Sequence, residues 1–238
     1  MKCTHCFINA TPNGKHMDMN VFEDVISFIR KIRPNVLLLS GGEPSEHPNF
    51  IQIIQDLKKV LRVSNLLLIA TNGMFLYNEE LTQKVLDMDV NIQITNDERF
   101  YPQRVPIIKH EKIFYETRIG EIFPLGRAVE NQLNRTDMDR KSQAPKCFNV
   151  RSLVRGGHVN TFRDLIAFTE LRLQKFCVPS IDIYGDLHIG ETDECYKIGS
   201  IYDKEESIFE NIRDLKFHQC NKCGLEDNLV NQYRKILS

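Results

Sequence analysis

Apolar positions in the first hundred residues switch between helical spacing and short unbroken runs. Val21, Val25, Ile26, Phe28 and Ile29 recur on one helix face, with Asp18 or Asn20 as the cap and Pro34 as the stop. Val36-Leu37-Leu38-Leu39 follows without a polar break and predicts a strand buried on both faces. A second helix from Asn49 to about Leu61 carries Phe50, Ile53, Ile54, Leu57, Val60 and Leu61 on one stripe. Leu66 to Ala70 is the next strand, Asn78 to Leu86 a third helix, and Val90 to Ile94 a third strand. Strands alternating with helices argue for βα units, hence a parallel sheet with helices outside. Function in such sheets gathers at the carboxyl ends of the strands. Each strand here ends in a polar tip: Gly41-Gly42-Glu43, Thr71-Asn72-Gly73 and Thr95-Asn96-Asp97.

Beyond Glu98 the pattern loosens. Val105 to Ile108 and Lys112 to Tyr115 read as short β-like runs, and Ile122 to Leu125 as a strand entering a turn at Gly126. Val129 to Lys146 is polar, a connector to a second unit, and it divides the chain into 1–143 and 144–238. In the second unit Asn160 to Lys175 predicts a helix. Pro179 to Tyr184 and Leu187 to Gly190 form a hairpin around Gly185-Asp186. Ile208 to Leu215 and Asn228 to Ile236 are short helices, the first led in by the acids of Asp203 to Glu206.

Composition narrows the classes. A hydrophobic fraction of 42% over 238 residues is ample for a core. The 31 basic and 32 acidic residues nearly cancel, so no whole-chain field recruits nucleic acid or an anionic membrane. No apolar run is long enough to span a bilayer and no secretion signal opens the chain, so the cytoplasm is the expected location. Seven cysteines, Cys3, Cys6, Cys147, Cys177, Cys195, Cys220 and Cys223, then read as metal or catalytic ligands more readily than as disulfides. Cys147 fits equally well as a small buried hydrophobe. His158, His188 and His218 carry no assignment.

Taken alone, Cys3-Thr4-His5-Cys6 is as consistent with a redox or zinc pair as with anything else. The Gly41-Gly42-Glu43 turn after the following strand changes the balance, because glycine lets backbone approach a ligand closely and a carboxylate can accept from an ammonium group. Together the two segments resemble the radical S-adenosylmethionine (SAM) superfamily, whose motif is Cys-x-x-x-Cys-x-x-Cys. Cys3 and Cys6 match its last two cysteines. The first would sit two positions before Met1, which suggests a chain that starts late, without its first strand and first ligand. The alternative is an inactive relative.

The resemblance implies a partial (βα)6 barrel lacking that first strand, followed by a small α+β domain. It implies a 4Fe-4S cluster held by three thiolates, Cys3 and Cys6 among them, with one iron left for SAM. Electron transfer into the sulfonium would then release a 5′-deoxyadenosyl radical that abstracts hydrogen from substrate. His5 would lie near the adenine, and Gly41, Gly42 and Glu43 would bind the amine of SAM. Thr71, Asn72 and Gly73, with Thr95 and Asn96, would contact the ribose, the carboxylate or the substrate. Pro124-Leu125-Gly126-Arg127-Ala128 is similar to a late-strand motif near the adenine. Cys177, Cys195, Cys220 and Cys223 look like a shortened SPASM or twitch domain holding one auxiliary 4Fe-4S cluster, with Cys147 as a possible substitute ligand and a four-cysteine zinc site as the competitor. Such enzymes often modify a peptide or protein and take electrons from a flavodoxin or ferredoxin. A cofactor- or nucleoside-biosynthetic enzyme is the near alternative, and a noncatalytic iron-sulfur or zinc protein the rival from another class.

Overall fold

In a computed structural model of the chain, residues 3–6, 8–62, 66–101, 103–117, 126–133, 146–171, 177–190 and 195–215 are described. The first helix, α1, spans Met19–Ile32 and starts where the Asp18 carboxylate accepts the Asn20 N–H at 2.8 Å. It stops at Arg33, whose left-handed backbone turns its N–H onto the Ile29 carbonyl. Two βα units follow, β1 (Val36–Leu39) with α2 (Phe50–Val60) and β2 (Leu66–Thr71) with α3 (Glu79–Leu86), and then β3 (Asn91–Thr95) and β4 (Ile113–Glu116) close the series.

These four strands form one parallel sheet in the order β1-β2-β3-β4. A sheet wound in sequence order by right-handed crossovers carries its helices on one face. That is where the first core lies, with Ile54, Val85, Ile69, Ile92 and Ile94 almost free of solvent between helices and sheet. Truncating any of these to alanine removes about 2–5 kcal/mol. The opposite face is open among the described residues: Leu38 is 54% exposed and Phe114 57%. The expectation that Val36–Leu39 is buried on both faces is therefore corrected, because among the described residues this strand has helices on one side only. Val105 to Ile108 is no strand either. Pro106 lacks an N–H for a ladder, and the Tyr115 hydroxyl organises the segment, accepting from the Ile108 N–H at 2.8 Å and donating to the Pro106 carbonyl at 3.2 Å.

The short helix α4 (Arg127–Glu130) stands at the head of the polar connector, and the boundary at 143 falls outside the described residues. So do the expected strand at Ile122 to Leu125 and the helix at Asn228 to Ile236. Further on come α5 (Lys146–Arg155), α6 (Phe162–Leu171), β5 (Pro179–Ile181), β6 (Asp186–Ile189), β7 (Tyr196–Ser200) and α7 (Glu205–Asp214). The three strands make an antiparallel sheet in sequence order. Its β5–β6 turn is held by the Asp182 carboxylate, which accepts from the N–H groups of Tyr184 and Asp186. A second core joins Val150, Val154, Phe162, Leu165, Leu187, Ile198 and Ile212.

Helix α1 belongs to both units. Ile32 sits in the second core, Phe28 meets Phe162 edge-on at 5.5 Å, and the Tyr202 hydroxyl reaches the Asp24 carboxylate at 3.0 Å. The apolar stripe of one helix thus docks the second unit beside the parallel sheet.

Candidate functional site

The polar tips of the parallel strands meet because the register brings them level: Leu39 pairs with Ile69, Thr71 with Ile94 and Thr95 with Glu116. Glu43 ties the first tip to the second. Its Oε1 accepts from the Thr71 hydroxyl at 2.6 Å, the Ser45 hydroxyl at 2.7 Å and the Ser45 N–H at 3.2 Å, while Oε2 accepts the Asn72 N–H at 2.7 Å. A carboxylate offers about four lone-pair directions, so most of the acceptor capacity of Glu43 is already used within the chain. Thr71 accepts in turn from the Gly73 N–H at 3.0 Å, and the Asn72 side-chain Oδ1 takes the Met74 N–H at 2.8 Å. Gly73 has φ 76°, and a Cβ there would lie 2.8 Å from Ile94 Cγ2, so only glycine fits this turn.

The two glycines before Glu43 differ. Gly41 has φ 134°, and a Cβ on it would meet nothing within 4 Å, so its backbone borders open space that a ligand can enter. A Cβ on Gly42 would come within 3.3 Å of Ala10 Cβ, so Gly42 packs against the end of the cysteine loop.

That loop carries Cys3 and Cys6 on a single turn, closed by a Cys6 N–H to Cys3 carbonyl bond of 3.3 Å. Both thiols are free and half-buried. Burial pushes the Cys3 thiol up, and the neighbouring Cys6 adds to this; Arg127 works the other way, and Glu43 is near enough to raise it further. Arg127 also holds the turn through hydrogen bonds: its backbone N–H donates to the Cys6 carbonyl at 2.9 Å and its Nε to the Cys3 carbonyl at 3.0 Å.

His5, between the cysteines, is covered by Phe100 and Tyr101, with ring centroids 4.9 and 5.2 Å away. Burial lowers its pKa, against the pull of Asp97, and its buried Nδ1 finds no hydrogen-bond partner among the described residues. Tyr101 was not legible as a site residue. Its phenol is held well above the ordinary tyrosine range, first by burial and then by the negative charge of Cys3, while a hydrogen bond with Thr95 opposes the shift; Glu43 and Cys6 add to it. Tyr101 is therefore within electrostatic reach of Cys3, Cys6 and Glu43. It is aimed there by the third tip: Asp97, 1% exposed, takes both Arg99 Nη2 and Nε on its carboxylate, and its carbonyl accepts the N–H groups of Phe100 and Tyr101. Asn96 anchors that tip through its N–H to the Glu116 carbonyl.

The described residues thus gather Cys3, Cys6, His5, Glu43, Thr95, Tyr101 and Arg127 at one end of the parallel sheet. Two thiols on one turn, a fixed cation beside them and backbone open to a ligand suit an iron-sulfur group in donor chemistry, and Cys3 and Cys6 are the residues that would hold it. Among the described residues no three of His, Cys, Asp and Glu converge in a metal-holding group.

Comparison with solved structures bears on the fold. A crystal structure of BtrN in complex with AdoMet and 2-DOIA matches with TM-score 0.50 and 14% identity, covering 90% of this chain and 80% of BtrN. BtrN with selenomethionine, in an open conformation, matches with TM-score 0.53 and 13% identity, covering 95% and 86%. The chain has a radical SAM-like fold. No protein-family model and no curated protein matches it. In this fold the tips of β1, β2 and β3 and the cysteine turn occupy one end of the sheet, and no described helix is long and apolar enough to cross a membrane.

The second group of cysteines is described in part. Cys177 lies just ahead of β5 and Cys195 just ahead of β7, on either side of Gly190 at the end of β6. The Gly190 N–H donates to the Val178 carbonyl at 3.3 Å, and a Cβ on Gly190 would collide with Cys195 Sγ. The unassigned His188 is 4% exposed and bridges the Asp182 carboxylate and the Cys195 carbonyl, each at 3.2 Å. Cys147 is on α5, and Cys220 and Cys223 lie outside the described residues.

Proposed function

We propose that this protein is a radical SAM enzyme of the barrel type, with a 4Fe-4S cluster to which Cys3 and Cys6 contribute two of the thiolates. The observation that carries the reading is the meeting of the two thiols with the open backbone of Gly41 and the Glu43 carboxylate in a radical SAM-like fold. When bound, the cluster supplies the electron that splits the sulfonium of SAM into methionine and a 5′-deoxyadenosyl radical.

The chain's own part is placement. Arg127 holds the turn bearing both thiols. Gly41 leaves room for the polar end of SAM, and Glu43 locks the first two tips in the arrangement that creates this room. His5, kept neutral by burial, offers Nδ1 to the adenine side. Thr71, Asn72, Thr95 and Asn96 line the strand ends from which ribose, carboxylate or substrate would be held. Cys177 and Cys195, with Cys220 and Cys223, hold an auxiliary 4Fe-4S cluster, for which zinc is the competing occupant.

The substrate in this reading is a peptide or protein, and the electron donor is a flavodoxin or ferredoxin. The complex of BtrN with 2-DOIA favours a second reading, a small molecule, because that match extends over both units of this chain. Anaerobic reconstitution of the protein tests the core of the proposal. About eight irons per chain, two full cubes, and 5′-deoxyadenosine formed on reduction with SAM are expected. Bound zinc with no SAM cleavage would refute it.

A further inference from the structure

The cysteine turn has few hydrogen bonds of its own: Cys6 N–H to the Cys3 carbonyl, and beyond it Gly14 N–H to the Thr11 carbonyl. Its other described backbone carbonyl partners come from Arg127 of α4 and from Asn131 just after it, more than a hundred residues along the chain. The Arg127 N–H takes the Cys6 carbonyl, Arg127 Nε the Cys3 carbonyl at 3.0 Å, and Arg127 Nη1 the Ala10 carbonyl at 2.6 Å, with Asn9 Oδ1 at 3.4 Å. One helical turn on, Asn131 Nδ2 donates to the Thr4 carbonyl at 3.0 Å. The left-handed Gly126 (φ 51°) turns the backbone just ahead of Arg127. A guanidinium is rigid, permanently charged and forked, so one side chain can bridge two carbonyls seven residues apart in the loop, which an ammonium group cannot reproduce in the same geometry.

We propose that Arg127 is the positioning residue of the thiolate pair: it fixes the Cys3 to Ala10 loop in the shape that presents both sulfurs together, and its fixed charge sets the potential of the iron-sulfur group those sulfurs hold. The second half rests on the function proposed above; the first does not. A cation beside an iron-sulfur group favours its reduced form, because added electron density is offset by the nearby charge. Arg127 thus acts through Cys3 and Cys6 and need not touch SAM or substrate.

The test uses the whole chain, with Arg127→Gln and Arg127→Lys, and Asn131→Ala for comparison. Amide exchange over residues 3–14 in the iron-free protein is the first readout. Arg127→Gln is expected to speed it about tenfold or more, as loss of a charged hydrogen bond implies, with the β1–β3 amides unchanged as proof of folding. Arg127→Lys should speed it in part, and Asn131→Ala, which frees the Thr4 carbonyl alone, less than Arg127→Gln. The second readout is the midpoint potential after reconstitution, which a purely structural role would not move according to charge: Arg127→Gln should shift it to more negative values and Arg127→Lys should remain near the parent. Unchanged exchange in Arg127→Gln overturns the positioning role, and an equal shift in both variants overturns the role of charge. A parent chain that assembles no cluster would sink the proposed function and with it the role of charge, whereas the iron-free exchange would still decide whether Arg127 shapes the loop.

Discussion

Replacing Glu43 by glutamine keeps the size of the side chain and removes its charge, which makes it a sharp probe of how the strand tips are tied. The carboxylate accepts from four donors, two on Ser45 and one each on Thr71 and Asn72. A glutamine has one acceptor oxygen. If that oxygen stays where Oε1 is, the amide nitrogen faces the Asn72 N–H, donor against donor; if the amide flips, the Ser45 N–H is the one left facing a donor. Either way a backbone N–H in a half-buried turn loses its acceptor, and the remaining bonds lose their charge assistance. Bonds to a charged acceptor contribute about 1.5–3 kcal/mol each and a stranded donor costs about 1–3 kcal/mol, so a net loss of about 2 kcal/mol is expected at this partly solvated site. Urea unfolding of the iron-free protein, with exchange of the Asn72 amide followed in parallel, measures it. Thr71→Val should cost less, and because it shares a bond with Glu43 the double variant should lose less than the sum, with a coupling of about 0.5 kcal/mol or more. An unfolding midpoint within about 0.5 kcal/mol of the parent, the range of a neutral surface change, or strict additivity with Thr71→Val would refute the tie. A Glu43 that served only to bind an ammonium group would give that result while lowering SAM affinity.

Other substitutions separate neighbouring roles. Gly41→Ala, at φ 134°, should cost about 1–3 kcal/mol in backbone strain and weaken SAM binding by filling open space; full SAM affinity in a folded variant would contradict the placement of that space. Gly42→Val should act first on the cysteine loop, since its side chain would press on Ala10, and limited proteolysis between Cys3 and Lys15 should quicken. Gly73→Ala brings a Cβ to 2.8 Å from Ile94 Cγ2, and its melting temperature should fall with a loss of about 1–3 kcal/mol; an unshifted melt would contradict the packing. In the iron-free chain the His5 ring should titrate below 6.5, because burial disfavours its charged form. Its folded value is depressed, so the stability it contributes is complete above pH 6.5 and is lost as pH falls through the folded value. Proton NMR of the ring resonances checks this, and a midpoint at or above 6.5 would count against the burial.

Periodicity alone located the three helix–strand pairs, α1-β1, α2-β2 and α3-β3, to within a residue or two, because each is a local matter. A helix face repeats within one turn and a strand ends where polar residues begin. The same pattern placed the three tips at one end of a parallel sheet, since strands joined by helices must run the same way. It missed β7, where Lys197, Gly199 and Ser200 dilute the apolar residues, and α5, where Arg151 reads as polar although it is buried, donating to the Leu215 carbonyl. In both the favourable term is burial against partners distant in sequence. The cysteine pair was visible as adjacent letters. Its clamp was not: Arg127 belongs to the turn of Cys3 and Cys6 only once the chain has closed over more than a hundred intervening residues. The same holds for Tyr101, which bonds Thr95 and comes within electrostatic reach of the thiols from an aperiodic stretch, and for Glu43, whose carboxylate draws two of its four donors from the tip of another strand. Spacing along a chain determines which backbone forms where. Which polar groups find one another is decided by packing, because a buried hydrogen bond takes its partner from whatever the fold brings within about 3 Å.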